Sequence, residues 1–185
     1  MEKIPDSSLR KVIKFLEISG ILKRTPRTGW VEVGIYEPES VADHTFRTAI
    51  LCMLYADIEG LDTLKMLRLA LIHDLPESMV GDLTPKQKNG ETKQKEETAI
   101  NHILSLLPKP QKETYLDVWN EYQQATTKEA QAVHQLEKIE MAIQAREYKS
   151  FGASNKSLER FVKTAKDATT WDDLKRLLLL VTEEK

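Results

Sequence analysis

The sequence predicts an all-α fold, and two of its features support that prediction, while a third excludes other small folds. Glycine and proline together make up only 14 of the 185 residues, about 8% of the chain against a usual ~12%. Nearly every segment places apolar residues at the helical period. The single cysteine, Cys52, excludes an internal disulfide framework and a zinc ribbon built on CxxC pairs. Because a chain with so few glycines and prolines forms few tight turns, a many-stranded sandwich or barrel is disfavoured.

Length and charge narrow the class of protein further. With 185 residues, the chain suits one domain spanning 1–185. A net charge of −2 gives no basic field for a nucleic-acid backbone, so no nucleic-acid polymer is expected as a partner. The longest apolar run, Leu177 to Val181, is far below the ~20 residues that span a bilayer. Because the first residues also lack a secretory signal, we expect a cytoplasmic protein without membrane association.

The first two helices are predicted from their end signals. Asp6 can cap a helix that Gly20 ends. Residues 24–38 then show no helical period, and we expect a loop long enough to be functional. Ser40 and Asp43 resemble a capping box for the second helix.

Gly60 is expected to end this second helix, and a third is predicted over about 64–80. Its inward face carries Leu67, Ala70 and Leu71, and Pro76 should kink it because proline lacks a backbone donor. The remainder of the chain is also helical by periodicity, and Thr127 can cap its longest helix. These later helices are expected at about 91–107, 115–122, 128–149, 158–165 and 171–181.

Histidines and carboxylates lie together on two of the predicted helices. His44 opens the second helix, while the third contains adjacent His73 and Asp74, with Glu77 one turn further on. Burying such groups unpaired in an apolar helix is costly, and a metal ion is one solution. Imidazole with carboxylate suits Zn, Fe, Mn, Co or Ni better than Ca. A salt-linked surface pair is the alternative interpretation of an isolated His-Asp doublet.

Four sequence blocks resemble the metal-dependent phosphohydrolases of the HD-domain superfamily. They are LKRTPRTGWV, PESVADH, RLALIHDLPESMVGDLTP and HQLEKIEMAIQA. The likeness is strongest to the branch of small single-domain HD proteins that act as 5′-deoxynucleotidases, and it covers about residues 21–148. The resemblance implies a single compact HD-domain helical bundle, with the C-terminal helices at 155–182 packed on that core.

The resemblance also implies a metal site. His44, His73 and Asp74 correspond to the family's metal ligands, and Glu137 stands where the family has a fourth, aspartate ligand. Glutamate is one methylene longer, and water or Glu140 is the substitute if Glu137 does not bind. The expected cofactor is one divalent ion, drawn from Mn, Co, Zn, Fe, Ni or Mg.

Further roles carried over from the family concern the substrate. Glu77 would activate water or protonate the leaving group, and Asp82 would lie close to the sugar and the catalytic centre. Arg27 corresponds to an arginine that contacts the substrate phosphate, which a planar guanidinium binds well. Trp30 is predicted to line the nucleoside pocket, with plain packing as an equal alternative. The remaining histidines, His102 and His134, have no partner at a familiar ligand spacing and are expected outside the site.

The expected function is metal-dependent hydrolysis of a 5′-deoxynucleoside monophosphate to deoxynucleoside and phosphate. Two alternatives stay open. One is another HD phosphohydrolase chemistry, acting on a phosphodiester or a nucleoside triphosphate. The other is a non-catalytic helical interaction protein with a remnant metal pocket. The resemblance suggests a homodimer whose partner is a small nucleotide substrate.

Overall fold

The computed structural model describes residues 5–183, and the all-α prediction is confirmed for them. Within this range β-type pairing is limited to one isolated antiparallel bridge between Pro26 and Ser40. No helix in the range is long and apolar enough to cross a membrane. A 3₁₀ helix at Gly20–Arg24 links α1 to the next segment. The α-helices are α1 (Asp6–Ser19), α2 (Thr28–Glu32), α3 (Val41–Glu59), α4 (Thr63–Ile72), α5 (Glu77–Val80), α6 (Gly90–Leu104), α7 (Lys109–Gln124), α8 (Lys128–Ser150), α9 (Asn155–Ala168) and α10 (Asp172–Glu183).

Helix α8 connects the two apolar clusters of the molecule. Its Leu136 and Ile139 are fully buried in the larger cluster, with side chains from α3, α4, α6, α7 and α10. Its Met141 and Ala145 belong to the smaller cluster, which α2 and α9 complete. Polar residues interspersed along α8 are therefore held in place by packing on both sides.

The predicted end signals of α3 and α8 are confirmed. Ser40 and Asp43 form a reciprocal capping box at the start of α3. Gly60 ends the same helix with φ +69°, a left-handed conformation that glycine adopts without strain. The side chain of Thr127 accepts a hydrogen bond from the Ala130 N–H at the start of α8.

Two expectations for the N-terminal region are wrong. Asp6 is the first residue of α1, its side chain makes no capping bond, and Pro5 occupies the N-cap position. The segment expected to be a loop contains α2, a helix of one turn. This helix forms because Trp30 is buried and Thr28 hydrogen-bonds Asp82 through both its backbone N–H and its hydroxyl. Such contacts come from 54 residues away, so local periodicity does not show them.

The predicted third helix is broken rather than kinked. Helix α4 ends at Ile72, a turn follows over 73–76, and α5 begins at Glu77. In the turn the Glu77 N–H donates to the Asp74 carbonyl oxygen at 3.0 Å. This bond spans three residues, as in a 3₁₀ helix, instead of the four of an α-helix. Pro76 removes one donor and disfavours helical geometry before it. Leu71, expected to face inward, is 55% exposed.

Candidate metal centre and substrate cavity

His44, His73 and Asp74 come together from α3 and the turn after α4. One ligand atom from each lies within 4.8 Å of the other two. The His73 Nε2 is 3.1 Å from Asp74 Oδ2, and the His44 Nε2 is 3.9 Å from the same oxygen. All three atoms are buried, and none has a hydrogen-bond partner in the part of the chain that the structure describes. Three buried, convergent and unpartnered ligand atoms fit a metal ion, which would satisfy them together.

Both imidazoles are oriented by hydrogen bonds at their other nitrogen. His73 Nδ1 is 2.7 Å from the carbonyl oxygen of Ala70, to which it donates. His44 Nδ1 contacts a carboxylate oxygen of Glu140. With a proton on each Nδ1, each Nε2 keeps its lone pair toward the cluster, as a metal ligand requires.

Glu140 is itself fixed by Arg47. Its second oxygen accepts a hydrogen bond from Arg47 Nε at 2.8 Å, and the guanidinium also pairs with Glu147. Burial alone would raise the pKa of Glu140, but the bonds to His44 and Arg47 hold that pKa below its ordinary value. Because Glu140 contacts His44 at Nδ1, it lies on the opposite side of the imidazole from the Nε2 atom that faces the cluster. Sequence reasoning had named it only as a substitute ligand and had not identified Arg47.

Glu137 lies at the edge of the cluster. Its Oε2 is 3.7 Å from His73 Nε2, whereas its Oε1 accepts a hydrogen bond from Tyr122 at 3.0 Å. Burial would raise the pKa of Glu137, but Lys138, His134 and His73 lower it well below the ordinary value. One oxygen of an ionised carboxylate is thus held by Tyr122 while the other lies near the histidine.

Arg27 and Asp82 form a partly buried ion pair beside the cluster. Arg27 Nη1 is 3.3 Å from Asp82 Oδ1 and 3.6 Å from Asp74 Oδ2. Burial opposes the charge on Arg27, but Asp74 and Asp82 outweigh it and raise the pKa. Asp82 also accepts the Thr28 N–H, and it therefore fixes the start of α2 as well as the guanidinium.

Glu77 is a buried carboxyl whose Oε2 has no hydrogen-bond partner within residues 5–183. Burial, followed by the nearby charges of Asp74 and Asp82, raises the pKa of Glu77 to about 10. The group consequently carries a proton at neutral pH. A buried acid that keeps its proton can donate it in a reaction.

Trp30 is packed on several sides. The side chain is 1% exposed, its ring centroid lies 3.8 Å from that of Phe161, and the Tyr148 ring packs in a T-shaped arrangement with its centroid 5.1 Å away. The indole N–H donates to Glu39 at 2.8 Å. Trp30 still contributes to a cavity wall, but these contacts leave it no free face on which a base could stack.

A cavity of about 760 Å³ opens beside the cluster, a size typical of small-molecule sites. Of the predicted site residues, all except His44 line it: Arg27, Trp30, His73, Asp74, Glu77, Asp82 and Glu137. The structure adds wall residues that the sequence did not indicate, among them Lys88, Trp119, Tyr122, Lys138, Arg160 and Phe161.

His134 also lines the cavity, although it was expected outside the site. Its ring stacks on that of Tyr122 with the two ring centroids 4.0 Å apart, and its Nδ1 is 3.6 Å from Glu137 Oε1. The spacing of His134 and Glu137, one turn apart on α8, is the sequence signal that could have indicated this position.

The fold and the cluster define an all-α protein able to bind a metal ion beside a small-molecule cavity. The chain belongs to the HD domain family, whose sequence profile matches residues 19–175. It is 35% identical over 181 residues to the 5′-deoxynucleotidase HDDC2 of Xenopus laevis, covering 97% of this chain and 90% of the relative. It is 40% identical over 141 residues to the human protein of the same name, covering 75% of this chain and 69% of the relative.

A solved structure of a conserved hypothetical protein from Pyrococcus furiosus has the same fold. The two superimpose with a TM-score of 0.76 and 32% sequence identity, over 93% of this chain and 99% of the archaeal one. The family resemblance inferred from the four sequence blocks is therefore confirmed.

Proposed function

We propose that this chain is a metal-dependent phosphomonoesterase that hydrolyses 5′-deoxynucleoside monophosphates. The observation that carries the proposal is the convergence of three buried, unpartnered ligand atoms at a cavity that also presents Arg27. The names of the relatives as 5′-deoxynucleotidases support the substrate class. The products are a deoxynucleoside and inorganic phosphate.

His44, His73 and Asp74 hold a divalent ion, and Glu137 supplies a fourth ligand through its Oε2. When bound, the ion supplies Lewis acidity to a phosphoryl oxygen and to a water molecule. The mixed imidazole and carboxylate donors suit Mn, Co, Zn, Fe or Ni best. Glu140 and Ala70 keep the two imidazoles in the tautomer that leaves Nε2 available.

Arg27 binds the substrate phosphate. Its guanidinium is ionised and partly exposed at the cavity, where it can contact two phosphoryl oxygens at once. Asp82 orients the guanidinium through its 3.3 Å ion pair, which is why we assign Asp82 a positioning role close to the reacting atoms. A fixed cation that faces the transferred group stabilises negative charge developing on it.

Glu77 handles the proton that goes to the leaving 5′-oxygen. Burial and its acidic neighbours raise the pKa of Glu77 and favour its protonated form, and Glu77 lines the same cavity as Arg27. Trp30 forms a rigid part of the wall on the nucleoside side, since Phe161 and Glu39 fix its ring.

Phosphate release from a panel of deoxy- and ribonucleotides tests this function. We expect hydrolysis of deoxynucleoside monophosphates that EDTA abolishes and an added divalent ion restores. His73→Ala should lose both activity and bound metal, while its helical content by circular dichroism stays close to that of the parent. Nucleoside triphosphates and a phosphodiester belong in the panel, because preference for either would favour another HD chemistry. Absence of phosphate release with every divalent ion would contradict the proposal.

We also propose that the protein acts as a homodimer in the cytoplasm. Support for the dimer comes from an apolar stripe on the outer side of α3, formed by Phe46, Ile50, Leu54 and Ile58, each of which is exposed. Contiguous exposed apolar surface of this kind is typical of interfaces. The cytoplasmic location is supported by the single buried cysteine and by a nucleotide substrate.

A further inference from the structure

Trp119 carries a buried hydrogen-bond donor that the helical fold leaves unused. The residue lies on α7 and is 3% exposed. Its indole Nε1 is buried and has no hydrogen-bond partner among the residues from 5 to 183. Such a donor is rare in folded proteins, because leaving it unpaired costs the free energy of its lost hydration.

Three other buried atoms without a hydrogen-bond partner among the described residues belong to side chains that line the cavity. They are His73 Nε2, Asp74 Oδ2 and Glu77 Oε2. The side chain of Trp119 lines that cavity too. Its N–H differs from those groups because it is neutral and can only donate, so it cannot bind a cation and requires an acceptor atom.

Packing fixes the Trp119 ring at the cavity wall. Trp119 belongs to the main apolar cluster, so its ring is fixed before any ligand binds. It lies one helical turn before Tyr122, whose ring centroid is 5.2 Å from that of His73 and whose hydroxyl donates to Glu137. A rigid donor loses little entropy when it forms its bond, which favours affinity.

We infer that Trp119 is a substrate-binding residue whose indole N–H donates to an oxygen acceptor of the nucleotide. The inference rests on the proposed function and adds a specific recognition contact to it. Two sources provide the same acceptor chemistry: an oxygen of the phosphate, and an oxygen of the base or the sugar.

This assignment predicts that one substitution moves stability and substrate use in opposite directions. Replacement of the N–H by sulfur at constant shape, as in β-(3-benzothienyl)alanine at 119, removes the unpaired donor, so the melting temperature of the ligand-free variant should equal or exceed that of the parent. Trp119→Phe removes the same donor but also leaves a small cavity, which lowers the melting temperature. In the complex either change leaves a substrate oxygen unpaired. We expect kcat/KM to fall about tenfold, mainly through a higher KM. A residue with a purely structural role would instead spare KM.

The experiment measures kinetics and thermal unfolding of the metal-loaded protein for the parent, Trp119→Phe and Trp171→Phe. Trp171 is the matched control, since it is partly buried against the same apolar cluster but does not line the cavity. Incorporation of β-(3-benzothienyl)alanine at 119 gives a second variant. It replaces the N–H by sulfur at nearly constant shape and decides the outcome if the phenylalanine variant folds poorly.

Inhibition by inorganic phosphate and by thymidine identifies the acceptor. Weaker inhibition of the Trp119 variants by phosphate assigns it to the phosphate group, and weaker inhibition by thymidine assigns it to the nucleoside. If kcat/KM and both inhibition constants stay within twofold of the parent, the inference is overturned. A parent that releases no phosphate from any nucleotide overturns the proposed function instead, so the two failures are distinguishable.

Discussion

Glu140 acts on the metal cluster through His44, without lining the cavity. Its carboxylate accepts from the imidazole Nδ1 and is held by Arg47 from the other side. Partners of this kind fix ring orientation and raise ligand basicity, and their loss typically costs ~10–100-fold in metal affinity. Glu140→Gln keeps the shape and removes the charge. We expect at least tenfold weaker metal binding, measured by competition with a chromogenic chelator.

Glu147→Gln is the matched control for this prediction. Glu147 pairs with the same Arg47 guanidinium but makes no contact with His44. Its replacement should change metal affinity by less than threefold. Equal losses in the two variants would show that Arg47, rather than the hydrogen bond to His44, governs the affinity.

Only part of the site could be predicted from residue types and their spacing. His44, His73 and Asp74 could be predicted because they lie in sequence blocks that resemble the HD-domain family, and the structure brings them together. The bond between His44 and Glu140 joins residues 96 positions apart, and no local pattern marks it. Trp119 was visible only as a helical apolar position, because a missing hydrogen bond is a property of the folded chain.

The end of α3 provides a prediction at the scale of one helix. Gly60 has φ +69°, whereas Gly20, at the end of α1, has φ −64°, and a Cβ at either position meets open space. Gly60→Ala should therefore lower the free energy of unfolding by about 1 kcal/mol, because alanine is strained in the left-handed region. Urea denaturation measures the change.

Gly20→Ala is the control for Gly60→Ala, because it adds the same methyl group at a helix end where the backbone is not left-handed. Because Gly20 already has right-handed helical angles, alanine fits there and reduces the entropy of the unfolded chain. The free energy of unfolding should stay constant or rise by up to ~1 kcal/mol. An equal loss of stability in Gly20→Ala and Gly60→Ala would mean that the added methyl group, rather than the backbone angle, lowers the free energy of unfolding.

Long helices were predictable, and short ones were not. Helices α3 and α8 have local capping signals and run for 19 and 23 residues. Helices α2 and α5 have five and four residues, too few to show a period. Their stability comes from tertiary contacts, such as the bonds between Thr28 and Asp82.

The exposed stripe on α3 gives a prediction for the whole molecule. Phe46 is 69% and Leu54 is 51% exposed, an arrangement that association with a second copy would bury. Sedimentation equilibrium of the parent should give the dimer mass. Leu54→Glu introduces a charge into the stripe and should shift the protein to monomer. Phe151→Glu is the control, since Phe151 is 85% exposed but lies outside the stripe at the end of α8. A monomeric parent would contradict the prediction.

Helix α9 completes the cavity although the motif-bearing segment, residues 21–148, ends before it. Phe161 covers the Trp30 ring, and a Cβ at Gly29 would lie 3.0 Å from that phenyl group. Arg160 donates to the Gly29 carbonyl at 2.8 Å. A fragment trimmed to the recognisable motifs would therefore retain every predicted metal ligand yet expose Trp30 to water. The boundary for protein engineering is set by this wall, so shortened or chimeric versions of the chain need α9 together with α2.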